Sequence, residues 1–366
     1  MGVTLEALKS HALASSLFKP TTLRRAIERL GFVQADPIRS PARAQDLILR
    51  HRVKDYAAGD LEAQYAKLAL EEDYLYAYGF MPEATWRLLH PRVSTGLSSS
   101  EQQVLELVSA QKHLHPRELE EHLGRAREQN AWGGYSKATT RILQALHYRG
   151  MIRVSSRENG VRVYQTTKIQ HHQIEPEERL RKLVLLIAAI LAPLPERSLR
   201  ATLRLLAHAA PNPTFALRRS SSRTNLEGPT SAVKALIASG DLTSAEVDGH
   251  RYVWPAGNLI RKSPPEMVRF LAPFDPLVWD RRRFEHFWGW AYRFEAYTPP
   301  LKRKLGYYAM PLLWRDEVVG WVNISRNRAK LNVKAGYVGT APKGDLFRNA
   351  FDAEVQRFAS FLQPKR

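Results

Sequence analysis

The chain has 366 residues, more than one hydrophobic core usually covers, and at about 150 residues per domain this length predicts two or three units. Hydrophobic residues make up 44% of the chain and aromatic residues 10%, which excludes a wholly disordered protein. Lysine and arginine number 55 against 36 aspartates and glutamates, and the resulting charge of +19 favours a polyanionic partner. Nucleic acid ranks ahead of a membrane surface because the basic residues are spread along the chain.

The composition also excludes a disulfide framework and a membrane span. There is no cysteine. The most apolar run, Leu183 to Leu194, is shorter than the roughly 20 residues that a membrane helix needs, and Pro193 and Pro195 end it. No secretion signal is visible, so we expect a cytoplasmic protein.

The first readable element is a helical pattern that ends at Gly31, a typical glycine stop. The residues after it, Phe-Val-Gln-Ala-Asp-Pro over 32 to 37, predict a short extended run. This run carries two polar side chains, Gln34 and Asp36. Residues two apart in an extended chain face the same side, so we expect the amide and the carboxylate to project together.

The same order of elements recurs twice along the chain. Residues 139 to 150 predict a helix with a glycine stop, and the strand patterns after it flank Asn159-Gly160, a strong hairpin signal. Residues 230 to 242 repeat the pattern, with Asp248-Gly249 as the turn. An alanine stands five residues before the glycine in each copy: Ala26 and Gly31, Ala145 and Gly150, Ala235 and Gly240.

These patterns predict an α+β fold built from tandem winged-helix units. Two helical patterns precede each of the later copies, at 100–111 and 116–123 and at 176–191 and 197–208, and three helices followed by a hairpin form a winged helix. After Pro264-Pro265, strand patterns at 292–297, 307–314, 318–324 and 330–333 predict an antiparallel sheet, closed by a helix over 345–362. The predicted units are residues 1–98, 99–172 and 173–263 as winged helices (helix-turn-helix units) and 264–366 as the β-rich subdomain.

The pair Gln34 and Asp36 has the chemistry for hydrolysis through a cationic sugar. An amide can hold a water or a sugar oxygen, and a neighbouring carboxylate can take a proton from that water or stabilise a cation. Glycosidic cleavage passes through an oxocarbenium-like state, in which a nearby negative charge is most stabilising. The structural alternative is that Asp36, which precedes Pro37, only forms a turn or a helix cap.

Several segments of the chain resemble the AlkZ/YcaQ family of winged-helix DNA glycosylases. The similarity rests on Gln34 to Ile38 with Ala42-Arg43-Ala44, on Leu75 to Pro82, and on two later segments, Leu271 to Arg281 and Lys302 to Tyr308. The resemblance implies that Gln34 and Asp36 are the catalytic Gln-x-Asp pair of the YcaQ-like branch. It also implies tandem winged helices that scaffold a basic concave surface.

The resemblance further implies a monomeric, monofunctional glycosylase of base excision repair. It would remove alkylated purines, including interstrand cross-linked ones, from double-stranded DNA, without a cofactor and in association with the nucleoid. The chain departs from the family pattern at Gln45, where many relatives have histidine, and at Tyr78-Gly79-Phe80, where many have Trp-Gly-His.

The candidate phosphate contacts are basic residues near the site and on the winged helices. They are Arg39 and Arg43 beside the pair, Lys137 and Arg141 at the second unit's third helix, Arg157 and Arg162 in its wing, and Arg218, Arg219 and Arg223 in a basic loop. For each of them a solvated surface position is the alternative. Stacked winged helices can also bury a wing against a neighbouring unit.

Other chemistry finds little support in the sequence. With no cysteine and no His-Glu-x-x-His spacing, a zinc site is not expected, and His113, His115, His171 and His172 are interpreted as surface residues. No phosphate-binding loop, dinucleotide fingerprint or Gly-x-Ser-x-Gly elbow is present. The remaining alternative is a transcription regulator or architectural protein that binds DNA through winged helices without catalysis.

Overall fold

The structure is a computed structural model that describes residues 2–92, 96–123, 127–129, 135–158, 160–168, 174–209, 228–327 and 330–363. Its first helices are α1 (Leu5–Ser16) and α2 (Leu23–Leu30). The side chain of Thr22 caps α2 by accepting from the backbone N–H of Arg25, and Gly31 ends it with a left-handed φ of 69°. The predicted glycine stop is therefore confirmed at the residue that opens the extended run.

The extended run is the edge strand of a three-stranded sheet. Strand β1 (Val33–Gln34) pairs with β3 (Tyr78–Pro82), which pairs in turn with β2 (Leu70–Tyr74). Gln34 lies opposite Gly79, where a Cβ atom would approach the carbonyl oxygen of Val33 to 2.4 Å. Glycine is required there because the two strands meet so closely. Three helices complete this part of the chain: α3 (Ala44–Leu49), α4 (Asp60–Gln64) and α5 (Glu83–Leu89).

The predicted order of three helices and a hairpin is present twice after this sheet. The first set is α6 (Ser99–Gln111), α7 (Pro116–Leu123), α8 (Ala138–Tyr148), β6 (Ile152–Glu158) and β7 (Val161–Thr166), with a small ribbon of β4 (Arg127–Gln129) and β5 (Tyr135–Lys137) before α8. The second set is α9 (Pro176–Ile190), β8 (Leu194–Pro195), α10 (Glu196–Ala209), α11 (Gly228–Ala238), β9 (Leu242–Val247) and β10 (His250–Pro255).

The carboxyl-terminal part is a four-stranded antiparallel sheet with a long helix against it. The strands are β11 (Val268–Phe270), β12 (Met310–Trp314), β13 (Glu317–Asn327) and β14 (Lys330–Tyr337), in that order across the sheet. Helices α12 (Pro276–Trp279) and α13 (Arg281–Trp288) follow β11, and α14 (Asp345–Phe361) closes the chain and packs on β11. The predicted strand over 292–297 is wrong: this segment is a loop, and β11 provides the fourth strand.

Buried apolar residues join parts of the chain that are distant in sequence. One cluster contains Phe80 of β3, Leu146 of α8 and Phe270 of β11, so the first sheet, the second set of helices and the terminal sheet share a core. A second cluster joins Phe32 to Ile187 of α9. The unit boundaries drawn from the sequence stay a prediction, and this packing crosses them. Over the described ranges, no helix is both long and apolar enough to cross a membrane.

Candidate active site

Strand β1 lies between two cores and presents its polar residues at its end. Val33 is buried in the core shared with the terminal sheet, whereas Phe32 is buried in the other cluster. Gln34 and Asp36, two and four residues after Phe32, lie on the same face of the extended chain as Phe32, and both are partly buried. The backbone N–H of Ala35 donates to the carbonyl of Tyr78 at 2.9 Å, which continues the strand pairing up to Asp36.

The carboxylate of Asp36 is held at both oxygens. Oδ1 accepts from the backbone N–H of Ile38 at 2.9 Å, the turn that the structural alternative predicts. Oδ2 accepts from the hydroxyl of Tyr297 at 3.4 Å, across 261 positions of sequence. The local turn therefore fixes the carboxylate, and the second oxygen faces a loop of the carboxyl-terminal part.

Burial raises the pKa of Asp36 above its ordinary value, and the hydrogen bonds from Ile38 and Tyr297 reduce that rise. A carboxylate with a raised pKa is a stronger proton acceptor than an exposed one. Its surroundings therefore suit Asp36 to take a proton from a bound water.

Three buried polar atoms near Asp36 have no hydrogen-bond partner in the described part of the chain: Gln34 Oε1, Gln45 Oε1 and the hydroxyl of Tyr308. Gln34 lies two residues from Asp36, and Gln45 lines the same cleft. Burial, followed by the charge of Asp36, raises the pKa of Tyr308. Buried polar groups without partners are uncommon in folded proteins, so these atoms are available to a ligand.

Asp36 opens onto a cleft of about 680 Å³ between the first sheet and the α7–β7 part of the chain, which is called here the basic cleft. Its lining residues are Ala35, Asp36, Pro37, Arg39, Arg43, Gln45, Tyr74, Tyr78, His115, Pro116, Arg117, Glu120, Thr140, Gln144, Arg157, Gly160, Val161, Arg162 and Tyr164. Five arginines face two acidic side chains in this set, so the walls attract an anion.

The chain matches the family described as "DNA glycosylase AlkZ-like" over residues 27–361, which is nearly its whole length. The chain belongs to the AlkZ-like DNA glycosylase family. Among solved structures, it is similar to the Streptomyces sahachiroi DNA glycosylase AlkZ, with a TM-score of 0.60 and 14% identity over 99% of this chain and 97% of that one. The predicted family and the α+β fold are confirmed.

Membership in the AlkZ-like family makes DNA the substrate and hydrolysis of an N-glycosyl bond the class of reaction. The predicted DNA contacts then divide by their surroundings. Arg39 is exposed at the cleft and forms no ion pair within the described residues. Arg43 pairs with Glu62, and burial together with the charges of Arg157 and Arg39 lowers the pKa of Arg43. Arg39, Arg43 and Arg157 thus bring three positive charges together at this wall.

The wing arginines are held by a buried acid of the first sheet. Arg157, with a side chain 10% exposed, donates through Nε to Glu72 Oε1 at 2.8 Å, and Arg162 lies 3.6 Å from the same carboxylate. Burial alone would raise the pKa of Glu72, but the hydrogen bonds and charge of Arg157 outweigh it and the pKa lies below its ordinary value. The hairpin is thus ion-paired to β2, as the stacking alternative anticipates, and contact of these arginines with DNA stays a prediction.

Of the remaining predicted contacts, Arg141 has a described side chain, and it is not among the residues that line the cleft. Arg141 is exposed on α8, but the residues of α8 that line the cleft are Thr140 and Gln144. Lys137 ends β5, and its side chain is outside the described part of the chain, as are all of Arg218, Arg219 and Arg223. Their roles stay predictions.

The sequence did not single out Tyr297, Tyr308 or Arg117. Arg117 is exposed at the start of α7 and lines the cleft, while Tyr297 comes from a segment that was predicted as a strand. A signal for Tyr297 was its place near the family-like segment 302–308. Among the residues that the structure describes, no three His, Asp or Glu side chains are grouped to hold a metal ion.

Proposed function

We propose that the protein is a monofunctional glycosylase that removes N7-alkylated purines from double-stranded DNA as a monomer. The observation that carries the proposal is the Asp36 carboxylate, fixed by Ile38 and Tyr297 at the edge of the basic cleft, with the unused amide oxygen of Gln34 two residues away. A carboxylate and an amide in this arrangement fit the needs of glycosidic hydrolysis.

Alkylation at N7 gives the purine a positive charge, so the base leaves without protonation. The C1′–N9 bond breaks and its electron pair passes to the base, which becomes neutral. Asp36 stabilises the cationic sugar. The Gln34 amide oxygen accepts a hydrogen bond from the attacking water, whose oxygen bonds to C1′ while its proton passes to Asp36. In the cleft, the Gln45 amide oxygen is a further acceptor for donors on the base.

The cleft also bears on the size of the lesion and on the fate of the abasic site. It is a groove between two parts of the chain, so a purine that stays tethered to the opposite strand has room, and we propose that interstrand cross-links of the nitrogen-mustard type are substrates. Among the described residues that line it, none is a lysine that could form a Schiff base with the sugar. Strand cleavage by the protein itself is therefore not expected.

The proposal is tested with a duplex that contains one 7-methylguanine. The protein should release free 7-methylguanine and leave an abasic site that breaks only after alkali. Asp36→Asn should slow release by about 10²- to 10⁴-fold, the range for loss of a general base, while DNA binding is retained.

The matched control is Asp345→Asn, which alters an exposed aspartate whose partner is the surface residue Arg348. The control should excise at the wild-type rate. A wild-type protein that binds the duplex and releases no base would favour the non-catalytic DNA binder, and an Asp36→Asn variant with full activity would reject the role of Asp36.

A further inference from the structure

The loop that contacts Asp36 also carries the most exposed apolar side chain of the described residues. Leu301 is fully exposed, Tyr297 is 74% exposed and Tyr307 is 43% exposed, all within eleven residues of one another. Leu301 lies in a short 3₁₀ turn, Pro300–Lys302. An apolar side chain held in water at this position brings no benefit to the fold, because it contacts none of the three cores.

The loop is held in this form by a buried acid and by an arginine. The carboxylate of Glu295 accepts from the backbone N–H groups of Lys304 at 2.8 Å and Leu305 at 2.7 Å, and from that of Gly306. Arg303 Nε donates to the carbonyl of Thr298 at 2.7 Å. Both ends of the turn are therefore tied, and Leu301 stays directed into solvent rather than folding back onto the protein.

The position of the loop fixes what Leu301 can reach. The hydroxyl of Tyr297 contacts Asp36, and Leu301 is four residues further on, a span of at most about 14 Å. With the length of the Tyr297 side chain added, Leu301 lies within one helical turn of a duplex, about 34 Å, of a sugar placed at Asp36. Lys302 and Lys304 flank it and complement the phosphate charge.

We propose that the Tyr297–Lys304 loop is a wedge that probes the duplex, with Leu301 entering the base stack beside the damaged nucleotide. This inference rests on the proposed function, since it takes the sugar at Asp36 as its reference point. An inserted leucine unstacks a base step and holds the duplex bent, which exposes the C1′ atom of the adjacent nucleotide to Asp36. Because hydrogen bonds already order the loop, inserting Leu301 requires little further loss of conformational entropy in the loop.

The test uses a duplex in which 2-aminopurine lies next to a 7-methylguanine. The Asp36→Asn background prevents excision, so unstacking is read as a rise in 2-aminopurine fluorescence when the protein binds. Leu301→Ala should lose this rise and, in the protein with Asp36 intact, should slow single-turnover excision by about tenfold or more because the apolar wedge is gone.

Two variants make the result specific. Leu301→Met keeps an apolar wedge and should restore both signals, whereas Leu346→Ala, which truncates a leucine 62% exposed on α14, should match the wild type. Neither Leu301 nor Leu346 is buried, so none of these changes should impair folding.

The wedge is overturned if the wild-type protein releases the base and Leu301→Ala matches it in both rate and fluorescence. If the wild type releases no base, the proposed function fails, and the 2-aminopurine fluorescence still tests whether Leu301 acts as a wedge. A rise that depends on Leu301 supports it, and no rise with any of the proteins overturns it.

Discussion

Arg39 and Arg157 both line the basic cleft, but the structure gives them opposite surroundings, and a paired substitution should separate their roles. Arg39 is exposed, with no ion pair within the described residues, while Arg157 is 10% exposed and is ion-paired to the fully buried Glu72. We predict that Arg157→Gln destabilises the fold without altering the charge contacts to DNA. Arg39→Gln should do the reverse.

The magnitudes follow from what each change leaves behind. Removing one partner of a buried ion pair costs about 3–5 kcal/mol. Arg162, at 3.6 Å, and the Tyr78 hydroxyl, at 2.9 Å, still contact Glu72, so we expect the lower end, about 3 kcal/mol. Arg39→Gln should change the free energy of unfolding by less than about 0.5 kcal/mol. It should reduce the slope of log K against log salt by about 0.9, the value for one phosphate contact.

Two measurements decide the outcome. Urea unfolding followed by tryptophan fluorescence gives the stability of each variant, and binding of an undamaged duplex across a salt series gives the slope. The reasoning is refuted if Arg157→Gln unfolds like the wild type and lowers the salt slope. That result would mean that Arg157 contacts phosphate, and that its ion pair with Glu72 contributes nothing to the fold.

Two other changes test the site and the framework. Tyr297→Phe removes a hydrogen bond that lowers the pKa of Asp36. Because excision needs the ionised carboxylate, the acid limb of the pH–rate profile, measured under single-turnover conditions, should move to higher pH. An acid limb that does not move would exclude the contact between Tyr297 and Asp36. Asp275→Asn breaks a fully buried ion pair with Arg52 (2.8 and 2.9 Å) and should lower the free energy of unfolding by about 3 kcal/mol or more. The control Asp345→Asn should leave the free energy of unfolding unchanged. Equal urea midpoints for the two variants would contradict the prediction.

The parts of the fold that could be predicted from the sequence are those specified locally. Helices with glycine stops and hairpins with Asn-Gly or Asp-Gly turns depend on neighbouring residues, and the later two sets of elements agree with their predicted order. The first sheet could not be predicted, because β1 has only two residues and its partner β3 begins more than forty positions later. The third strand, β2, could not be predicted either, because the consecutive acids Glu71, Glu72 and Asp73 do not match the sequence pattern of a buried strand.

Those three acids are buried because their partners come from elsewhere in the chain. Glu71 pairs with Arg153, Glu72 with Arg157, and Asp73 with Arg92 and His90. The same limit applies to Asp275, whose partner Arg52 lies 223 positions away in the sequence. Alternation of aromatic residues over 292–297 likewise suggested a strand, whereas the Glu295 carboxylate organises a loop there.

The candidate site shows the same division. Gln34 and Asp36 stand two apart in a single run, so a motif could point to them. Tyr297 and Tyr308 reach the site only through the fold. Their identity depends on packing between the first sheet and the terminal part of the chain, which no local pattern records.

The ion pairs of β2 determine how the protein can use the β6–β7 hairpin. In a DNA-binding winged helix the wing offers its arginines to phosphate, but here Arg153 and Arg157 neutralise Glu71 and Glu72. Moving them to DNA would take from the buried Glu71 its ion pair with Arg153 and would leave Glu72 with the more distant Arg162. That cost makes the hairpin a wall of the cleft. Among the described residues that line the cleft, the exposed arginines are Arg39 and Arg117, and the loop of Leu301 adds Lys302 and Lys304 near Asp36. Binding energy would then be concentrated at the sugar to be cleaved rather than spread along a recognition helix, as suits a protein that seeks damage and not sequence.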